Sequence, residues 1–467
     1  MKRTKIVCTI GPASDTLPKL KALAKSGMNV ARLNFSHNVQ AYHLKVLKNV
    51  RTASRELKIP IAAVADLQGP RIRLGELPEK GIKLIKGKNI TLSTAETADF
   101  KKIPVTYKKM HKDVKPGERI LLIDGLIEII VEKIKDTDII CKVKTGGTLF
   151  THKGINLPDT NVRLHALSEK DKEDLHFAVK NKVDYVALSF VKNAQEIKDL
   201  KTLIKEYQRK LKINLPYPIK IIVKIERREA ITNLAEIIAE ADAVMIARGD
   251  LGVEFPPEDV PILQKMIIDK CLFAAKPVIT ATQMLESMVK NPRPTRAEAS
   301  DVSNAVIDHT DAVMLSAESA VGDYPKETVS IMSDILIKTE ESVYDDLVLK
   351  KKILKLKNND YRLAKAVRVL SDNVDASAVI LLSGNGHTTN LISRFRPETK
   401  IIVGCSDPRV YNQLNLSWGV YPYMITSKIQ TVDDFYNYLT RTKKLPKNKK
   451  IVLVKTARDQ IREIECI

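Results

Sequence analysis

Asp242-Ala-Val-Met-Ile-Ala-Arg248-Gly249-Asp250-Leu251-Gly252-Val253-Glu254 is the stretch that decides how the rest of the chain is read. A short apolar run with β-branched members stops at a cation, a glycine and a carboxylate. Such a run suits a strand buried on both faces. The glycines let backbone amides approach an anion closely, and the aspartate is free to ligate a metal. The same pattern recurs on either side. Lys5–Ile10, Asn29–Leu33, Ile61–Ala65, Val183–Ser189, Ile219–Ile225, Pro277–Thr280 and Ala312–Leu315 are short apolar runs separated by longer segments. Several of these segments are helix-patterned, most clearly Ser168–Val179 behind the capping sequence Ser168-Glu-Lys-Asp171. Eight such units predict an α/β fold built on a closed (β/α)8 TIM barrel, not an open doubly wound sheet.

The third unit is interrupted. After Ile61–Ala65 come about a hundred residues with no helical period. Ile90–Leu92, Arg119–Ile123, Ile127–Ile134 and Ile139–Val143 read as strands between turn signals such as Lys115-Pro116-Gly117 and Asp124-Gly125. This predicts a small β-barrel domain inserted in a barrel loop. Alternating helices and strands return after the basic run 350–360 and end with a strand at Ile451–Lys455. The expected division is barrel 1–69 and 165–342, inserted β domain 70–164 and C-terminal α/β domain 343–467.

Composition narrows the function. Hydrophobic residues at 44% and charged residues at 28% are ordinary for a globular protein, and no apolar run is long enough to span a bilayer. Met1-Lys2-Arg3 leads straight into a strand without the apolar core of a signal peptide, so a cytoplasmic protein with no membrane partner is expected. The five cysteines lack CxxC spacing and read as reduced packing residues. The net charge of +21 is open to three readings: nucleic-acid binding, anionic small substrates, or simply a lysine-rich proteome. The densest lysine runs, 350–357 and 443–450, have almost no interleaved aromatics, which favours a solvated surface and argues against a nucleic-acid partner.

Barrel enzymes carry their chemistry at the carboxyl ends of the strands. Those positions hold Arg32 and Asn34, Asp66, Lys224 and Glu226, Arg248-Gly249-Asp250, Thr282, and Ser316 and Glu318. Taken singly, Lys224-Ile225-Glu226 also fits an ion pair closing a strand, and Asp250 a turn cap. Together they suit a phosphorylated carboxylic acid with a divalent cation. Glu226 and Asp250 offer the few hard oxygen ligands Mg²⁺ wants when substrate and water complete its shell. Arg32, Arg73, Lys153 and Lys224 can neutralise phosphoryl oxygens. There is no GxxxxGK[ST] loop and no kinase-type Gly-rich loop, so phosphoryl transfer would lie outside the familiar nucleotide folds.

The sequence resembles the pyruvate kinases. The resemblance is carried by Thr4–Ser14, Ser26–His37, Asp66-Leu-Gln-Gly-Pro-Arg-Ile-Arg73, Lys153-Gly-Ile-Asn-Leu-Pro158, Lys224-Ile-Glu226, Ala247–Glu254, Thr280–Met288, Pro292–Glu298 and Asp311–Glu318, in the family's order. It implies a glycolytic enzyme acting on phosphoenolpyruvate and ADP/ATP. Arg32, Thr282 and the Gly249–Asp250 backbone would hold phosphoenolpyruvate, and Lys224 would stabilise the transferring phosphoryl group. Glu226 and Asp250 would ligate Mg²⁺, or Mn²⁺ in its place. Asn34, His37, Arg73 and Lys153 would face the nucleotide, Lys153 reaching in from the lid. The family's K⁺ site would fall on Asn34, Ser36, Asp66 and the carbonyl of Leu67, and the family's homotetramer would be the expected assembly. Two departures stand out. K⁺-requiring members usually have Thr and Glu where this chain has Leu67 and Arg71, so K⁺ is expected not to be required. The effector loop survives only as Ser383-Gly-Asn-Gly-His-Thr388, which could still form an anion nest or be an ordinary turn, and the family's late Gly-rich loop is missing. A lyase of the phosphoenolpyruvate barrel type would have no use for the inserted domain. A basic RNA-binding protein would need aromatic–basic clusters, whereas aromatics are 5% of residues with a single tryptophan, Trp418.

Overall fold

A computed structural model of the chain describes residues 2–95, 102–347, 359–446, 449–457 and 460–467. Most of the basic run 350–360, and part of 443–450, lie outside these residues. Three strands open the chain: β1 (Lys5–Thr9), β2 (Val30–Asn34) and β3 (Ala62–Asp66). The inserted segment supplies β4 (Ile82–Leu84), β5 (Asn89–Ser93), β6 (Ile103–Pro104), β7 (Arg119–Leu122), β8 (Ile127–Lys135), β9 (Asp138–Thr145), β10 (Gly147–Leu149) and β11 (Ile155–Asn156). The first array then resumes with β12 (Tyr185–Leu188), β13 (Lys220–Ile225), β14 (Ala243–Ala247), β15 (Val278–Ala281) and β16 (Ala312–Leu315).

β1–β3 and β12–β16 close into an eight-stranded parallel barrel in the order β1-β16-β15-β14-β13-β12-β3-β2. Eight strands leave an interior just wide enough for side chains to fill. Val7, Val64, Ile222, Met245, Ile279 and Met314 fill it, with alanines at 62, 187, 243, 281 and 312 between them. The helices outside start where the sequence marks them. Ser168 and Asp171 form a reciprocal capping box on Glu169–Lys180, and Thr295 and Glu298 do the same for Arg296–Ile307.

The inserted domain is a six-stranded sheet, β11-β7-β8-β9-β5-β6, beside a β4–β10 pair. Its two edges meet through residues 73 and 74. Single bridges join Arg73 to Gly154, next to β11, and Leu74 to Val105, next to β6. Isolated residue pairs, not a full strand, thus link the two edges of this sheet.

The C-terminal sheet runs β19-β18-β17-β20-β21, with β17 (Ala378–Leu382), β18 (Lys400–Cys405), β19 (Val420–Met424), β20 (Ile451–Ala457) and β21 (Gln460–Cys466). β21 pairs antiparallel with β20 and was not expected from the sequence. This domain docks under the amino-terminal end of the barrel. Leu416 joins the barrel's interior cluster. Asn415 Nδ2 donates to the carbonyls of Asn29 (2.9 Å) and Pro60 (2.6 Å), and Gln413 Nε2 donates to those of Asp184 and Pro218 (both 3.0 Å). The opposite, carboxyl end is left to the inserted domain. Among the described residues no helix is long and apolar enough to cross a membrane.

Candidate active site

Strand register places the first charges side by side. Thr9 is level with Arg32 on β1 and β2, and Asn34 with Asp66 on β2 and β3. Arg32 Nε donates to Asp66 Oδ2 at 2.6 Å, and its Nη1 donates to Thr9 Oγ at 2.8 Å. Lys224, near the end of β13, reaches the same carboxylate from the other side, Nζ to Oδ1 at 3.7 Å. Its ammonium lies 2.8 Å from Glu226 Oε1 and donates to Ser189 Oγ at 2.9 Å. Ser189 in turn donates to the Leu67 carbonyl at 2.7 Å. The next residue's amide, Phe190 N, donates to Glu226 Oε2 at 2.6 Å. Four strands thus deliver Arg32, Asp66, Ser189, Lys224 and Glu226 to one spot.

Burial sets the electrostatics. Asp66 and Glu226 are each 1% exposed. Burial pushes the Glu226 carboxyl upward, Lys224 pulls it back, and Asp250 pushes it up again. Burial works against the Lys224 ammonium, but Asp66 and Glu226 outweigh it and push its pKa up to about 12. The lysine is therefore a fixed cation at physiological pH.

A second group adjoins the first. The helix Arg248–Glu254 starts where β14 ends, so Gly249 and Asp250 sit in its first turn, where amides lack intrahelical acceptors. Gly249 N donates to Thr282 Oγ at 2.8 Å. Thr282 and Gln283 have φ of 68° and 54°, a conformation costly for non-glycine residues. The Arg248 guanidinium holds that loop, donating to the Thr282 carbonyl at 2.7 Å and to Asp301 Oδ1 at 2.8 Å. Arg248 is thus a brace behind the mouth. Glu318 is structural as well. It is buried, and its carboxylate accepts from the amides of Leu285 (3.2 Å) and Ser316 (2.7 Å).

The donor set suits a divalent cation that keeps substrate and water ligands. Glu226 Oε1 and Asp66 Oδ1 are buried without a hydrogen bond of good geometry, and Asp250 acts electrostatically on both Glu226 and Lys224. Among the described residues no three His, Cys, Asp or Glu side chains form a metal cage. A Mg²⁺ ion that keeps substrate and water ligands needs only one or two protein carboxylates.

The remaining candidates are spread more widely. The Asn34 side chain accepts from Ser36 N at 3.2 Å, and the exposed His37 offers its carbonyl to the His43 ring at 2.9 Å. Arg73 and Lys153 belong to the inserted domain. Arg73 Nη1 donates to the His152 carbonyl at 3.0 Å, and the Lys153 carbonyl accepts from Leu74 N at 2.9 Å. Neither makes a contact with the Lys224 cluster. Arg71 pairs with Asp124 of the inserted domain at 2.8 Å. The 383–388 loop folds as a turn closed on itself, Gly386 N donating to Ser383 Oγ (3.0 Å) and His387 N to Asn385 Oδ1 (2.7 Å). Sequence reasoning passed over Ser189 and Thr9. Both looked like strand ends, and only the fold reveals their partners.

Comparison with known proteins agrees with this arrangement. Residues 1–329 match the family model "Pyruvate kinase, barrel domain", and residues 362–462 match "Pyruvate kinase, alpha/beta domain". A pyruvate kinase of Clostridium acetobutylicum is 40% identical over 437 residues, 93% of this chain and 91% of that protein. One from Geobacillus stearothermophilus is 41% identical over 424 residues, 90% of this chain and 71% of that protein. The crystal structure of a Cryptosporidium parvum pyruvate kinase superposes with a TM-score of 0.92 at 35% identity, covering all of this chain and 96% of the other. With strand order, buried charges and sequence in agreement over nearly the whole length, the chain belongs to the pyruvate kinase family.

Proposed function

We infer that the chain transfers the phosphoryl group of phosphoenolpyruvate to ADP, giving pyruvate and ATP, with the Lys224 cluster as the transfer centre. The observation that carries this is the Lys224 ammonium, fixed by Asp66, Glu226 and Ser189 beside Arg32 at the mouth shared by the barrel strands. Phosphoryl transfer needs charge neutralisation and positioning more than covalent chemistry. Arg32 and Lys224 neutralise the oxygens of the moving group. Lys224 also stabilises the enolate left behind, and this interaction strengthens as charge develops. Thr282 and the amides of Gly249 and Asp250 orient the substrate carboxylate. Glu226 and Asp250 would hold Mg²⁺, or Mn²⁺, which when bound supplies positive charge to substrate oxygens. Asn34, His37, Arg73 and Lys153 take the nucleotide when the inserted domain closes as a lid and excludes water.

We place the enzyme in the cytoplasm as a homotetramer on the strength of its family, and read it as independent of K⁺. Two of the oxygens a monovalent cation would need are already engaged: the Leu67 carbonyl by Ser189, and Asp66 Oδ2 by Arg32. The Arg71 cation, where K⁺-requiring relatives have an anion, adds to this even though Asp124 offsets its charge. Pyruvate formation from phosphoenolpyruvate, ADP and Mg²⁺ tests the reading. It should proceed at similar rates in K⁺ and in tetramethylammonium buffers of equal ionic strength. Activity that appears only with K⁺ removes the cation claim, and no ATP formation in either buffer removes the function.

A further inference from the structure

The carboxyl end of β1 is fastened to the barrel wall at several points. The Thr9 carbonyl accepts from Ser319 Oγ at 2.9 Å, and the Ala13 amide donates to the Ala320 carbonyl at 2.9 Å. The turn between them lies so close to the short helix Ala317–Ala320 that a Cβ at Gly11 would fall 2.5 Å from that same carbonyl. Thr9 itself is 5% exposed. Its hydroxyl donates to the Leu315 carbonyl of β16 at 3.0 Å. The one hydroxyl proton is thereby spent, and the lone pairs are left to accept. A β-branched side chain has few χ1 rotamers, which keeps that oxygen where it is.

What it accepts is Arg32 Nη1, at 2.8 Å. Arg32 is therefore held from both strands that flank its own: Nη1 by Thr9 on β1, and Nε by Asp66 Oδ2 on β3 at 2.6 Å. One hydrogen bond leaves a guanidinium free to swing about it. A second bond, on another nitrogen, fixes its plane. The second anchor is also neutral. A carboxylate there would offset charge that an incoming anion needs, and Asp66 is already shared with Lys224, whose Nζ lies 3.7 Å from Oδ1. Among the described residues Arg32 Nη2 makes no hydrogen bond, so one edge of the fork stays available.

We propose that Thr9 is a positioning residue for Arg32, its hydroxyl setting the plane in which the free edge of the guanidinium meets the phosphoryl oxygens of the substrate. This rests on the reading of Arg32 as a cation that neutralises that group. Thr9 touches neither substrate nor metal in this role and acts only through the arginine. A charged fork turned out of plane still attracts the anion, but it no longer holds it for in-line transfer.

Steady-state kinetics of Thr9→Val, Thr9→Ser, Arg32→Lys and the double variant Thr9→Val, Arg32→Lys test this, with Tm measured for each. Valine keeps the shape and the branch and removes only the oxygen. Thr9→Val should lower kcat/KM for phosphoenolpyruvate by about ten- to a hundredfold and leave the KM for ADP within about twofold. Thr9→Ser, which keeps the hydroxyl, should recover most of that loss. A lysine has no plane to fix, so in the Arg32→Lys background Thr9→Val should cost less than about twofold more. Should Thr9→Val not fold, Thr9→Cys takes its place with the same expectations, because a thiol accepts hydrogen bonds only weakly. A folded Thr9→Val protein with the kcat/KM of wild type overturns the proposal. So does an equal loss in Thr9→Ser, or the same loss from Thr9→Val in both backgrounds, which would make the threonine a brace of the barrel wall. Arg32→Lys with the kcat/KM of wild type is a different failure: it removes the reading of Arg32, and the proposal with it.

Discussion

Glu226 is where two demands would collide: in the proposed role it would stay negative to ligate a metal, and it is almost wholly out of water. Its charge is kept by the Lys224 ammonium at 2.8 Å and the Phe190 amide at 2.6 Å. Asp250, in the first turn of the helix after the next strand, pushes the other way. A cation entering between Glu226 and Asp250 relieves that repulsion, so the pair favours metal more than either carboxylate alone. Glu226→Gln and Asp250→Asn should each raise the Mg²⁺ concentration for half-maximal activity by about tenfold or more, since each replaces an anionic ligand by a weaker neutral one. Mg²⁺ titration of kcat reads the effect. Titrations that superpose on wild type in both variants would make these carboxylates structural.

The turn after β12 shows what one element contributes to the site. Ser189 ties Lys224 to the Leu67 carbonyl, and Phe190 N fixes Glu226. Phe190 adopts φ of 56°, and Gly69 packs so tightly there that a Cβ would fall 2.8 Å from its ring. Strain of this kind persists only where surrounding structure enforces it. Ser189 is thus a positioning residue for Lys224. Ser189→Ala should lower kcat by about ten- to a hundredfold with little change in the KM for phosphoenolpyruvate, and Ser189→Thr should restore most of it. Equal loss in Ala and Thr variants, or a KM effect alone, would contradict the role. None of this was legible in the sequence, where Val183–Ser189 reads as an apolar run whose polar end has no visible partner. The eight barrel strands were legible because their runs are apolar, short and regularly spaced, and the residues at their ends converge once the barrel closes. β4, β6, β10 and β11 are two or three residues long and carry no period to detect. β21 was missed because its residues alternate poorly, only Ile461 being buried, and its pairing with β20 shifts register at Lys455/Thr456.

At the scale of the whole molecule, a second set of buried charges joins the barrel to the C-terminal domain. Arg3 donates to Asp345 Oδ2 (3.3 Å) and Glu398 Oε2 (2.5 Å), Glu340 lies beside them, and His309 Nδ1 is 3.9 Å from Asp345 Oδ1. Burial pushes Asp345 up to about 7, with Glu340 and Glu398 adding to it and Arg3 and Arg396 opposing. A carboxyl raised above its unfolded value of about 3.9 stabilises the fold fully below that value, and loses the contribution as pH rises through about 7. Asp345→Asn should therefore gain in Tm relative to wild type as pH goes from about 4 to 7, with little further change above. Parallel Tm curves would show that the carboxyl does not titrate there. The proposed transfer centre nonetheless turns on a single cation, Lys224, at the barrel mouth. The most direct test is steady-state ATP formation from phosphoenolpyruvate by wild type and by Lys224→Met, with phosphoenolpyruvate binding measured alongside. Turnover should fall by about three orders of magnitude or more while binding weakens far less, because the interaction is made mainly in the transition state. A folded Lys224→Met protein with turnover near that of wild type would contradict the account.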